Sequence, residues 1–108
     1  RLKLKVVTVD GEDMVLAKET GLWHYDLKVK PFTGRALNKF ENGNDQHEAS
    51  FFEGKLDGVE RFWYPNGQVH KELMWLEGEY HGFVTQWDAK GKIVSRKRYH
   101  RGKDVTNR

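Results

Sequence analysis

The chain has 108 residues, 37% hydrophobic and 13% aromatic, with a formal net charge of +3. That is one domain's worth of chain with a thin, aromatic-rich core, and a charge too small to argue for nucleic acid by itself. The lack of cysteine excludes disulfides, thiolate metal sites and cysteine nucleophiles, and no stretch reaches the roughly 18 apolar residues of a membrane span.

Leu2 to Val9 alternates apolar and polar residues, Asp10-Gly11-Glu12-Asp13 has turn chemistry, and Met14 to Ala17 is apolar again. The pattern predicts a hairpin, or a leading strand and its return, over residues 1–20 as a cap, with a short helix over Met14–Glu19 as the alternative. The chain opens at Arg1 rather than Met, which leaves room for a removed signal peptide. The compartment, cytoplasmic or exported, is left open.

From Gly21 onward the chain is periodic. Glycines recur at 34, 58 and 82, at 43, 67 and 91, and at 54, 78 and 102, each step being 24 residues. A fixed period of this length marks a repeat architecture in which each unit needs a neighbour to bury its apolar face. The divisions are a half repeat over 21–33 and full repeats over 34–57, 58–81 and 82–105. Each full repeat has a short strand such as Phe62-Trp63-Tyr64, then a turn on the central glycine. A second strand such as Val69–Leu76 follows and ends at Gly54, Gly78 or Gly102.

Asn42-Gly43 and Asn66-Gly67 predict hairpin turns, since both residues tolerate positive φ, and Gly-x-x-x-Gly predicts a second turn between repeats. Strands of about six residues would fill the period and leave no room for a helix. The fold class is therefore all-β: an elongated, twisted antiparallel meander of successive β-hairpins. Leu27, Phe51, Trp75 and Tyr99 form one column and are expected to stack as a ladder, chiefly as core.

Tyr64-Pro65-Asn66-Gly67-Gln68, then Trp75-Leu76-Glu77-Gly78-Glu79-Tyr80-His81-Gly82 and Trp87, resembles the MORN-repeat variant of bacterial YwqK-type antitoxin-like proteins. The resemblance covers about Gly21 to Lys103. It implies successive hairpins used as an interaction or scaffold module, with no catalytic motif to carry over. Asp88 stands where Phe40 and Tyr64 are aromatic, and Lys39 where Trp63 and Trp87 stand, so the end repeats depart from the pattern.

Charge reverses along the array: residues 32–78 carry net −3 and residues 79–108 net +5. Arg96, Lys97, Arg98, Arg101 and Lys103 form a candidate anion site for nucleic acid or acidic lipid, or else a solvated end cap. Alternation along a strand puts Arg96 and Arg98 on one face and Lys97 on the other. The five histidines lack metal-ligand spacing, His24 and Asp26 read as a surface pair, and Asp10–Asp13 lacks the length of a calcium loop.

No nucleophile elbow, phosphate loop or dinucleotide fingerprint is present. The reading is a non-catalytic module, without cofactor, that binds a protein partner through a sheet face or edge. Trp63, Trp75, Tyr80 and Trp87 are the candidate contact residues. Self-association is a further partner reading, since the array does not close on itself.

Overall fold

The computed structural model describes residues 7–27 and 29–107. Among them is an eight-stranded sheet in the order β1-β4-β5-β6-β7-β8-β9-β10, and a separate pair, β2-β3. The repeats supply β4 (Gly34–Lys39), β5 (Asp45–Phe52), β6 (Lys55–Trp63), β7 (Val69–Leu76), β8 (Glu79–Trp87), β9 (Ile93–His100) and β10 (Lys103–Asp104). All are joined as an antiparallel meander. With three repeats the whole measures 42 × 39 × 29 Å.

Among the described residues the N-terminal segment does not fold back on itself as a hairpin. Instead β1 (Thr8–Asp10) lies parallel to β4, with Val9 opposite Ala36, so the large sheet is mixed. Asp10 then caps a single 3₁₀ turn, its carboxylate accepting the Glu12 N–H at 2.9 Å, and the chain leaves the sheet. The expected return strand, β2 (Val15–Ala17), pairs with β3 (Leu22–His24), and this excludes the helix alternative. The predicted strand over Leu2–Val9 lies outside the described residues up to position 6.

The repeat strands run eight or nine residues from β5 to β9, longer than the six expected. The reason is the turn between repeats, which is two residues and not Gly-x-x-x-Gly. Glu53-Gly54, Glu77-Gly78 and Arg101-Gly102 all have positive φ, near 50° and then 83–84°, as in type I′ hairpins. The first residue of each pair carries a side chain there at a cost. Its N–H is held by a residue 20 positions earlier: Thr33 accepts from Glu53, Asp57 from Glu77, His81 from Arg101. Asparagine tolerates this conformation better, so Glu77→Asn should raise stability by about 0.5–1 kcal/mol in urea unfolding.

The glycines at 34, 58 and 82 sit inside strands. Their register partners are Phe51, Trp75 and Tyr99, so each ring of the aromatic column lies across from a residue without a side chain. The register of β6 and β8 also shifts beside Gly58 and Gly82, a bulge in the second and third repeats.

At the other end of the strands the expected turns form, with only the glycine of each Asn-Gly pair at positive φ. Gly67 N–H donates to Tyr64 O and Tyr64 N–H to Gln68 O, a type I turn closed by a glycine bulge. The asparagines act through their side chains. Asn66 Oδ1 accepts the Gln68 N–H at 2.9 Å, and its Nδ2 donates to Ala89 O in the next repeat's turn. Asn42 does the same toward Asn44 and Pro65. Asn66→Ala should cost about 1 kcal/mol, read as a lowered urea midpoint with unchanged slope.

The core is small and lies over the first repeat. Ala36, Ala49 and Phe51 are buried, with Met14, Trp23 and Phe32 packed on them from the N-terminal segment. Leu27 is 55% exposed and takes no part in the aromatic ladder. Trp23 and Phe32 take that place, 6.2 and 6.0 Å from the Phe51 ring.

Candidate functional site

Register alignment defines two faces. Ala36, Ala49, Glu60, Leu73, Val84 and Lys97 cross six strands in line on one, here termed the inner face. Leu37, Glu48, Arg61, Glu72, Thr85 and Arg96 do so on the other.

The inner face carries the ring row, in which two sequence columns interleave. Trp75 and Tyr80 are register partners with centroids 4.5 Å apart, and Tyr80 to Tyr99 is 5.0 Å. All three are half-buried. Of the four aromatic positions singled out in the sequence, Trp75 and Tyr80 therefore come together. Trp63 and Trp87 lie at the opposite ends of their strands. Trp63 lines an open groove of about 470 Å³ with Phe62, His70 and Lys71. The Trp87 carbonyl accepts the Tyr64 hydroxyl at 2.8 Å, so its backbone ties two repeats.

The row is anchored by a residue that sequence reasoning passed over. Glu60 accepts the Trp75 indole N–H on Oε1 at 2.9 Å and His47 Nε2 on Oε2 at 2.6 Å. The Glu60 side chain is 12% exposed, and His47 also stacks on Phe62 at 4.4 Å. A signal was available: in the repeat column Ala36, Glu60, Val84, the middle member is an acid where its neighbours are apolar. Tyr80 beside it is held above the usual tyrosine range by burial first, then by the charges of Glu60 and Tyr99.

The basic residues of the last hairpin are all exposed but do not form one patch. Arg96 lies over the Phe83 ring at 4.1 Å on the outer face, which Arg98 shares, whereas Lys97 is on the inner face. Arg101 lies 3.7 Å from Glu79 and 4.0 Å from Glu77. Lys103 sits in β10 opposite His100. Upstream on the outer face the charges alternate: Arg61 bonds Glu72 at 2.8 Å and Arg35 lies 3.7 Å from Glu48. Exposed pairs of this kind add at most about 1 kcal/mol each. The free side of β9 is partly occupied: Val105 N–H donates to Arg98 O, and Thr106 Oγ1 accepts the Arg98 N–H.

His24 is not a surface residue. It is buried, and its Nδ1 donates to Val29 O at 2.9 Å, closing the loop after β3. Among the described residues no three His, Asp or Glu side chains converge as metal ligands would, and no helix is long and apolar enough to cross a membrane.

No protein-family model, curated protein or solved structure matches the chain.

Proposed function

We propose that this chain is a non-catalytic β-repeat interaction module, of the MORN-variant, antitoxin-like kind it resembles. Its partner is a protein that lays an extended, aromatic-bearing segment over the inner face of the second and third repeats. One observation carries the reading. Over the first repeat the chain seats its own segment on this face, with the Trp23 ring near Phe51 and the Trp23 N–H donating to Gly54 O at 2.8 Å. The later repeats present the equivalent rings, Trp75 and Tyr99, and the equivalent turns at Gly78 and Gly102, outside that core cluster. What fits the first repeat is the chemistry that would fit the others: main-chain bonding for affinity and a ring for specificity.

The test is selection from a displayed random-peptide library, with Val84→Arg as the counter-target. Aromatic peptides bound by the native chain and lost on the variant, with amide shifts at Leu73, Trp75 and Tyr99, are expected. Ligands that shift Arg96 and Arg98 and dissociate steeply with salt would favour the second reading instead. In that reading the exposed basic residues of the last hairpin hold nucleic acid or acidic lipid. The split of these residues over two faces, with Arg101 beside two glutamates, counts against it.

A further inference from the structure

A cavity of about 130 Å³ lies between the first repeat and the N-terminal segment. Its polar wall is Glu60, His47 and Asn38; its apolar wall includes Met14, Trp23, Phe51 and Leu56. The room arises because Ala36 and Ala49 line it, where the later repeats carry the larger Glu60 and Val84 in the first column and Leu73 and Lys97 in the second. We propose that this cavity binds a small alkylammonium group, its nitrogen on the Glu60 carboxylate and its carbons among Trp23, Phe51 and Met14.

Three observations support the assignment, independently of the partner proposed for the open face. First, the Glu60 carboxylate is mostly buried at the polar end of the cavity, where an ammonium would add a charge-assisted hydrogen bond beside those from Trp75 and His47. Second, two hydrogen bonds leave Glu60 with acceptor capacity, since an ionised carboxylate has about four lone-pair sites. Third, the Trp23 and Phe51 rings, with centroids 6.2 Å apart, stand on the apolar side, where they would take the carbons of the amine. At ~30 Å³ per water-sized group, the volume admits on the order of four to five non-hydrogen atoms. That is the size of propylammonium or of the end of a lysine side chain.

The experiment is a titration of the whole chain, followed by two-dimensional amide and indole spectra, with propylammonium, propanol and a capped Gly-Lys-Gly peptide. Propylammonium should give saturable shifts at the Trp23 and Trp75 indoles and the Ala49 amide, with Kd on the order of millimolar. Propanol should bind about tenfold more weakly or worse. Glu60→Gln, which keeps an acceptor for Trp75, should weaken propylammonium by about tenfold or more. Ala49→Leu, which fills the space as Leu73 does in the next repeat, should abolish binding with the far-ultraviolet circular dichroism unchanged. If Glu60→Gln does not fold, Ala49→Leu decides alone. A peptide that binds as well as propylammonium assigns the site to a partner's lysine, and propylammonium alone assigns it to a free amine. Absence of saturable shifts, equal binding of propanol, or full binding to Ala49→Leu would overturn the proposal.

Discussion

Gly54→Ala should destabilise the protein by about 3 kcal/mol, against about 1 kcal/mol for Gly78→Ala. The two glycines occupy the same place in successive repeats and have the same φ of 83°. A methyl group therefore meets the same backbone strain at both. Their surroundings differ. At Gly78 the nearest atoms to an added Cβ are on the Lys55 side chain at 3.9 Å. At Gly54 they are Pro31 Cβ at 2.8 Å, Leu22 Cβ at 2.9 Å and the Trp23 carbonyl at 3.1 Å. The N-terminal segment would have to lift, breaking the Trp23 N–H bond to Gly54 O and loosening the core at Phe51. Urea unfolding of both variants gives the difference directly. Equal losses would mean that the N-terminal segment adds nothing to the stability of the sheet.

The second large effect is expected at Trp75. Trp75→Ala removes the ring that spans Gly58 and Tyr80, together with the indole bond to Glu60, and should cost about 3–4 kcal/mol. Trp75→Phe keeps a ring against Tyr80 and loses mainly the N–H. Its expected cost is about 1–2 kcal/mol, the penalty of leaving one side of a mostly buried carboxylate without a donor. A double-mutant cycle with Glu60→Ala, which removes the acceptor, separates ring from hydrogen bond, and a coupling near zero would show that the two residues act independently. The large loss in the alanine variant is why Val84, at the open face, is the better position at which to probe partner binding.

Much of the architecture was legible in the glycine columns, because a glycine is demanded by backbone geometry and so leaves a periodic mark in the sequence. The conformation that each column takes is less legible. Gly-x-x-x-Gly reads Gly54 and Gly78, with Gly58 and Gly82, as the two ends of one turn. The structure puts the first pair in two-residue hairpins and the second opposite aromatic residues within strands. Nothing in Gly-x-x-x-Gly distinguishes these, since both demand an absent side chain and only one demands a tight reversal. The candidate residues Trp75 and Tyr80 were named without being known as neighbours. They meet because two-residue turns bring columns five positions apart into register.

The sequence by itself determined the period, the all-β class, the hairpin repeat and the reversal of charge toward the last hairpin. Each is local or repeats at a fixed interval, and is readable from one unit against the next. Only the tertiary structure decided where the non-repeating segment goes: β1 parallel to β4, and Trp23 and Phe32 onto Phe51. It also decided that Glu60, Trp75 and His47 form one cluster, though they are 13 to 28 residues apart. Such contacts depend on strand register and on which segment covers which face, and no single stretch of chain encodes either.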